Sequence, residues 1–188
     1  MKTSKSELFS KIEHFIAAIN TETITADRRN TLQPLIDYIQ QKTSNLEEIR
    51  LHFICTHNSR RSHLSQIWAQ TMAFHFNIKN IYSYSGGTEN TAVYPMIITT
   101  LENTGFEIDT LSACENPVYS IKFSKNKHPI IGFSKKLDAD FNPKSEFAAA
   151  MANSKLFPAA VNATEAVLSY ELPIALVKKK PIRNIKIK

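Results

Sequence analysis

The chain has 188 residues, 43% hydrophobic and 21% charged, which is the composition of an ordinary globular protein. That excludes a disordered chain and, with two cysteines, a disulfide scaffold; no uncharged apolar run reaches the ~18 residues of a membrane span. The net charge of +6 comes from residues 178–188, which carry six basic residues and no acid, so the body is balanced and no nucleic-acid-binding face is expected.

The opening residues MKTSKSELFSKIEHF lack the apolar core of a secretory signal, so a cytoplasmic protein with reduced thiols is expected. Leu8, Phe9, Ile12, Phe15, Ile16 and Ile19 recur at helical spacing and predict a helix over 6–20. Thr25 reads as an N-cap with Asp27 in the first turn of a second helix, which reaches about Lys42 and contains Pro34. Residues 1–48 therefore read as a helical extension. Ile49 to Cys55 alternates and reads as a strand, Thr56–Arg61 as a short polar loop, and Ser62–Ile78 as a helix presenting Leu64, Ile67, Trp68, Met72 and Phe76. Ile81–Ser85 reads as a second strand ended by Gly86 and Gly87, and Thr91–Asn103 as a helix stopped by Gly105. Strands alternating with helices predict an α/β fold with a parallel sheet. Farther on, Val118–Phe123 and Pro129–Phe133 read as a β pair, and the alanine-rich run Phe147–Ala152 fits a strand or a helix. The α/β domain is expected over 49–177, followed by a basic tail over 178–188.

The segment that carries chemistry is Cys55-Thr56-His57-Asn58-Ser59-Arg60-Arg61-Ser62, between a strand and a helix. Backbone N–H groups of a tight loop converge on a tetrahedral oxyanion, and the following helix adds the positive end of its dipole. An arginine fork grips two oxygens at once. The same groups favour a cysteine thiolate, and the Ser62 hydroxyl can donate to that sulfur. A cysteine, five residues, an arginine and a serine thus describe a nucleophile beneath a bound phosphate-like ion. A lone cysteine at a strand end is more often a small buried hydrophobe, and it is the strand before, the helix after and the Gly86–Gly87 pair that favour the chemical reading. His52, Cys55, His57 and His63 match no zinc spacing, so neither a metal nor a cofactor is expected.

Cys55 to Ser62 resembles the phosphate loop of the low-molecular-weight protein tyrosine phosphatases and the related thioredoxin-coupled arsenate reductases, which commonly reads C-x-G-N-x-C-R-S. Cys55, Asn58, Arg61 and Ser62 match it, Thr56 and Ser59 match the arsenate reductase branch, and Ser85-Gly86-Gly87-Thr88 is similar to the family's S-A-G-T segment. The resemblance covers about 49–173. It implies a four-stranded parallel sheet flanked by helices, with Cys55, Arg61 and Ser62 catalytic and Thr56, His57, Asn58, Ser59 and Arg60 lining the oxyanion site.

The chain departs from the family in places that bear on chemistry. His57 replaces a glycine whose place in the loop favours a positive φ, and Arg60 replaces a second cysteine. Leu172 stands where the family has its Asp-Pro general acid, leaving Glu171, Asp138 or Asp140 as candidate acids. Asn153 and Phe157 stand where the arsenate reductases carry redox cysteines. The expected function is an enzyme, a cysteine-dependent hydrolase of aryl phosphates. The alternatives are an arsenate reductase, using Cys55 with Cys114, thioredoxin or a small external thiol, and a non-catalytic oxyanion-binding relative.

Overall fold

The computed structural model describes residues 7–152. The first helix, α1 (Ser10–Ala17), has no side-chain cap; instead the Phe9 N–H donates to the Phe123 carbonyl at 3.0 Å. Thr25 caps α2 (Ala26–Ser44) as its sequence suggests, its Oγ1 accepting the Arg28 N–H at 3.3 Å, and α2 runs on through Pro34.

Three parallel strands follow, in the order β2 (Ile81–Gly87), β1 (Ile49–Cys55), β6 (Ala148–Met151). The register pairs Ile49 with Ile81 through to Cys55 with Gly87 on one side, and Leu51 with Ala148 through to Ile54 with Met151 on the other. The chain is thus α/β with a parallel sheet. Between β1 and β2 lies α3 (Arg61–His75), buried almost all round because it separates two cores. Its Ala69 and Ala73 pack with Ile49, Leu51 and Phe53 of β1, and Leu35 and Ile39 of α2 join the same cluster. Alanine at these two positions lets the helix lie close against the sheet. Its Leu64, Ile67, Trp68 and Met72 face the other core, with Ile12 and Ile16 of α1 and with Leu101 and Phe106. The Trp68 ring lies 5.1 Å from Phe15 and 5.2 Å, edge to face, from Phe106. The first two helices therefore bury apolar side chains in both cores of the α/β body.

The next helix, α4 (Pro95–Thr104), starts later than the periodicity suggests. Pro95 disfavours a helical conformation at Tyr94 and is itself suited to the first helical position, so Tyr94 is extended and Thr91–Tyr94 lies outside the helix. Gly105 ends it with φ 106°, as expected. β2 is longer than its apolar run, because both glycines of the pair belong to its paired end.

A separate antiparallel sheet, in the order β3 (Glu107–Ser112), β4 (Val118–Lys122), β5 (Ile130–Gly132), contains the expected pair β4–β5 and a strand, β3, not anticipated from the sequence. β3 is a largely exposed edge strand, so its pattern carries little hydrophobic signal. After β5 the chain returns to the parallel sheet: the Gly87 N–H donates to the Lys135 carbonyl at 2.9 Å, and the Leu137 N–H donates to the Gly87 carbonyl at 2.8 Å. The excursion thereby delivers residues 134–137 to the end of β2, beside Cys55. Among the described residues no helix is long and apolar enough to cross a membrane.

Candidate functional site

Cys55 is the last residue of β1, and Arg61 is the first of α3. The loop between them is shaped by its carbonyls, which bond outward to neighbouring segments. The Cys55 carbonyl accepts the Thr88 N–H at 3.1 Å, and the Thr56 carbonyl accepts the Glu89 N–H at 2.8 Å. The His57 carbonyl accepts the Ser134 hydroxyl at 2.9 Å, and the Ser59 carbonyl accepts the Tyr94 N–H at 3.0 Å. In a planar trans peptide the N–H of the next residue points opposite to the carbonyl. The N–H groups of Thr56, His57, Asn58 and Arg60 are therefore turned away from those outer partners. An anion nest requires N–H groups left unspent in this way, and the N-terminus of α3 follows directly after the loop.

The positive backbone dihedral falls on Asn58, with φ 43°, and not on His57. The histidine in place of a glycine is therefore unstrained; asparagine is among the residues that tolerate this region. His57 is exposed and lies 3.5 Å from the Glu89 carboxylate.

Beneath the loop a buried chain of hydrogen bonds ends at the sulfur. The Lys135 N–H donates to Asn58 Oδ1 at 2.8 Å, which turns the amide so that Nδ2 donates to Ser62 Oγ at 2.8 Å. Ser62 Oγ is 3.0 Å from Cys55 Sγ, and with a lone pair already taken by Asn58 its proton is free to go to the sulfur. Cys55, Asn58 and Ser62 are all buried, whereas Thr56, His57 and Arg60 are exposed at the mouth.

Compared with protein-family models, with curated proteins and with solved structures, the chain matches none. Its own geometry therefore carries the functional argument.

Of the two glycines of β2, Gly87 is required by the loop's close approach, whereas a Cβ on Gly86 would meet the Leu137 backbone and the His52 ring. A Cβ on Gly87 would lie 2.6 Å from the Thr56 carbonyl oxygen and 2.7 Å from the Asn58 nitrogen, both backbone atoms of the loop. Gly87→Ala is therefore expected to push the loop off the strand, at a stability cost of ~1–3 kcal/mol, and, on the phosphate-loop reading proposed below, to remove affinity for phosphate. Melting of the variant with and without phosphate checks this; an intact phosphate-induced shift would refute it.

Sequence reasoning missed the contribution of residues 134–135. Ser134 holds the loop through His57, and its own N–H and carbonyl are paired with the Asn116 side chain, at 3.0 and 2.7 Å. Lys135 is buried, with Nζ 4.8 Å from the Phe133 ring centroid and no hydrogen-bond partner among the described residues, and burial pushes it down to about 8. Two buried histidines feel its charge. His63 is pushed down to about 3 and His52 to about 4, in each case by burial first and the Lys135 charge second. Local sequence carries no signal for these roles, because a Ser-Lys-Lys run after a strand ordinarily reads as a solvated turn.

The other expected residues are placed as follows. Cys114 is exposed, its thiol donating to the Asn116 carbonyl at 3.1 Å. Asp140 is exposed and lies 3.2 Å from the Lys144 ammonium, and Asp138 is exposed, with its carbonyl accepting from Lys144. Glu171, Leu172, Asn153, Phe157 and the basic tail over 178–188 lie outside the described residues. Among the described residues no group of at least three His, Cys, Asp or Glu side chains is arranged to hold a metal ion.

Proposed function

We propose that the protein is a cysteine-dependent phosphatase of aryl phosphomonoesters, resembling the low-molecular-weight protein tyrosine phosphatases. The observation that carries the reading is Cys55 Sγ, 3.0 Å from a serine hydroxyl, at the base of a loop whose carbonyls are turned outward. The Cys55 sulfur attacks phosphorus as the ester bond to the aryl oxygen breaks. The loop N–H groups and the Arg61 guanidinium hold the non-bridging oxygens, and the departing aryl oxide takes a proton. Water then attacks the phosphocysteine, releasing inorganic phosphate and restoring the thiolate. With Leu172 in place of an aspartate, proton delivery rests on Glu171, Asp138, Asp140 or water, and slow turnover of poor leaving groups follows. The reading needs no cofactor and suits a cytoplasmic protein with free thiols. The family it resembles has a four-stranded parallel sheet, and the reading extends that strand number to this chain.

A second reading, arsenate reduction, is favoured by the position of Cys114. It lies two residues before Asn116, which pairs with Ser134, which in turn holds the loop at His57. After Cys55 has bonded to arsenic, attack by the Cys114 sulfur on the Cys55 sulfur would form a disulfide and release arsenite, the two electrons passing to arsenic. Thioredoxin or a small thiol would then reduce the disulfide or take the place of Cys114.

Phosphate at a hundredfold excess over its Kd is expected to stabilise the protein by about 2.7 kcal/mol. Arg61→Lys keeps the charge but loses the fork and should abolish most of that shift. Release of inorganic phosphate from an aryl phosphate, measured beside reduction of arsenate with thioredoxin or small thiols, separates the two readings. No stabilisation by phosphate and no turnover of either substrate would overturn both.

A further inference from the structure

Arg60 is an exposed residue of the loop, and the family it resembles has a cysteine there. Its guanidinium carbon lies 4.8 Å from the centroid of the Tyr94 ring. Tyr94 is itself held in place: its N–H donates to the Ser59 carbonyl at 3.0 Å, and Pro95 begins α4 directly after it. Among the described residues no carboxylate forms an ion pair with Arg60; Glu89, on the neighbouring segment, lies against His57. A cation held over a ring face is attracted by the ring's quadrupole, a contact that takes up none of the guanidinium's hydrogen-bond donors. Arg60 is therefore a positioned, uncompensated fork at the mouth of the anion loop, one residue from the arginine that serves the loop itself.

We propose that Arg60, held by Tyr94, determines specificity by binding a carboxylate beside the phosphorylated side chain, so that the substrate class is an acidic phosphopeptide. The inference rests on the phosphatase reading and adds the second recognition point. A planar fork matches a carboxylate with two parallel hydrogen bonds. Two residues of extended peptide span ~7 Å, which puts an acidic neighbour of a phosphotyrosine within range of a side chain at the rim. A free oxyanion such as arsenate fills the loop alone and leaves this fork unused.

The test uses the full-length protein and two phosphotyrosine peptides of equal length, one with aspartates flanking the phosphotyrosine and one with alanines. The acidic peptide is expected to have the higher kcat/KM at low salt, by about fivefold, the size of one exposed ion pair. The preference should fade as salt screens it. Arg60→Ala and Tyr94→Leu should bring the ratio to about one, Arg60→Lys should keep part of it, and Tyr94→Phe should keep it all. Because the ratio is taken within one protein, a variant that is partly unfolded still reports. If turnover is too slow to measure, the affinities of Cys55→Ser for the two peptides give the same ratio. A ratio of one in the wild type, or a preference that survives Arg60→Ala, overturns the inference and leaves the phosphatase reading standing. Absence of both turnover and binding for every aryl phosphate overturns the phosphatase reading itself.

Discussion

Replacing Cys55 with serine is expected to abolish aryl phosphate hydrolysis, by on the order of 10⁴-fold or more, while leaving phosphate binding in place. The two halves of this result have different origins. On the proposed reading the sulfur supplies the bond to phosphorus, and a serine hydroxyl at the same place is a far weaker nucleophile without a base to take its proton. On the same reading binding comes from backbone N–H groups and from Arg61, which the substitution does not touch. The outward bonds that hold the loop open, from Thr88, Glu89, Ser134 and Tyr94, are also unaffected. A steady-state assay and a melting curve with phosphate check the prediction on one preparation. Retained turnover would show that Cys55 is not the nucleophile, and a lost phosphate shift would show that the sulfur itself organises the loop.

The second large effect is on stability in mild acid. His63 and His52 are buried behind the loop and pushed down from 6.5 to about 3 and about 4. When unfolded they bind protons near pH 6.5, and when folded they do not bind them until pH 3–4. Stability therefore falls as pH drops through that window, by about 4 kcal/mol between pH 6.5 and 4.5 for the two together. Such a loss is a large part of the ~5–15 kcal/mol that holds a domain folded. Urea unfolding at the two pH values should show it, and His63→Gln with His52→Gln should flatten the slope. An equal slope in the double variant would mean that other groups cause it. Lys135 works in the same direction at higher pH. Lowered from 10.5 to about 8 by burial, its charge weighs against the fold below pH 8, and that cost is relieved as pH rises from 8 to 10.5. Lys135→Met should accordingly stabilise the protein at neutral pH and lose that advantage at pH 10.5.

The candidate site divides in an instructive way between what was legible and what was not. Cys55, Asn58, Arg61 and Ser62 lie within one short run, and the chemistry proposed for them follows from residue type and spacing. The positive φ at Asn58, and the ease with which His57 takes the glycine position, could not be read there, because φ depends on how the loop is anchored. That anchoring comes from Ser134 and Lys135, some 77 residues away along the chain in the hydrogen bonds to His57 and Asn58.

By itself the sequence determined the elements whose signals are local. Thr25 caps α2 because its hydroxyl can accept from its own first turn, Gly105 ends α4 because glycine enters the left-handed region freely, and β1 and α3 show the two periodicities of strand and helix. Only the tertiary structure decided the fate of segments with weak or divided local preferences. The alanine-rich stretch at 148–151 would serve equally in a helix; it is a strand because the free edge of β1 takes its backbone hydrogen bonds, and because Ala148 and Ala150 are small enough to fit beside the cluster under α2. The 134–137 segment, an ordinary polar turn in sequence, becomes a wall of the site for the same reason. Hydrogen bonds between distant backbones are satisfied by proximity, and proximity is set by how the two cores pack around α3 and not by the residues that the bonds join.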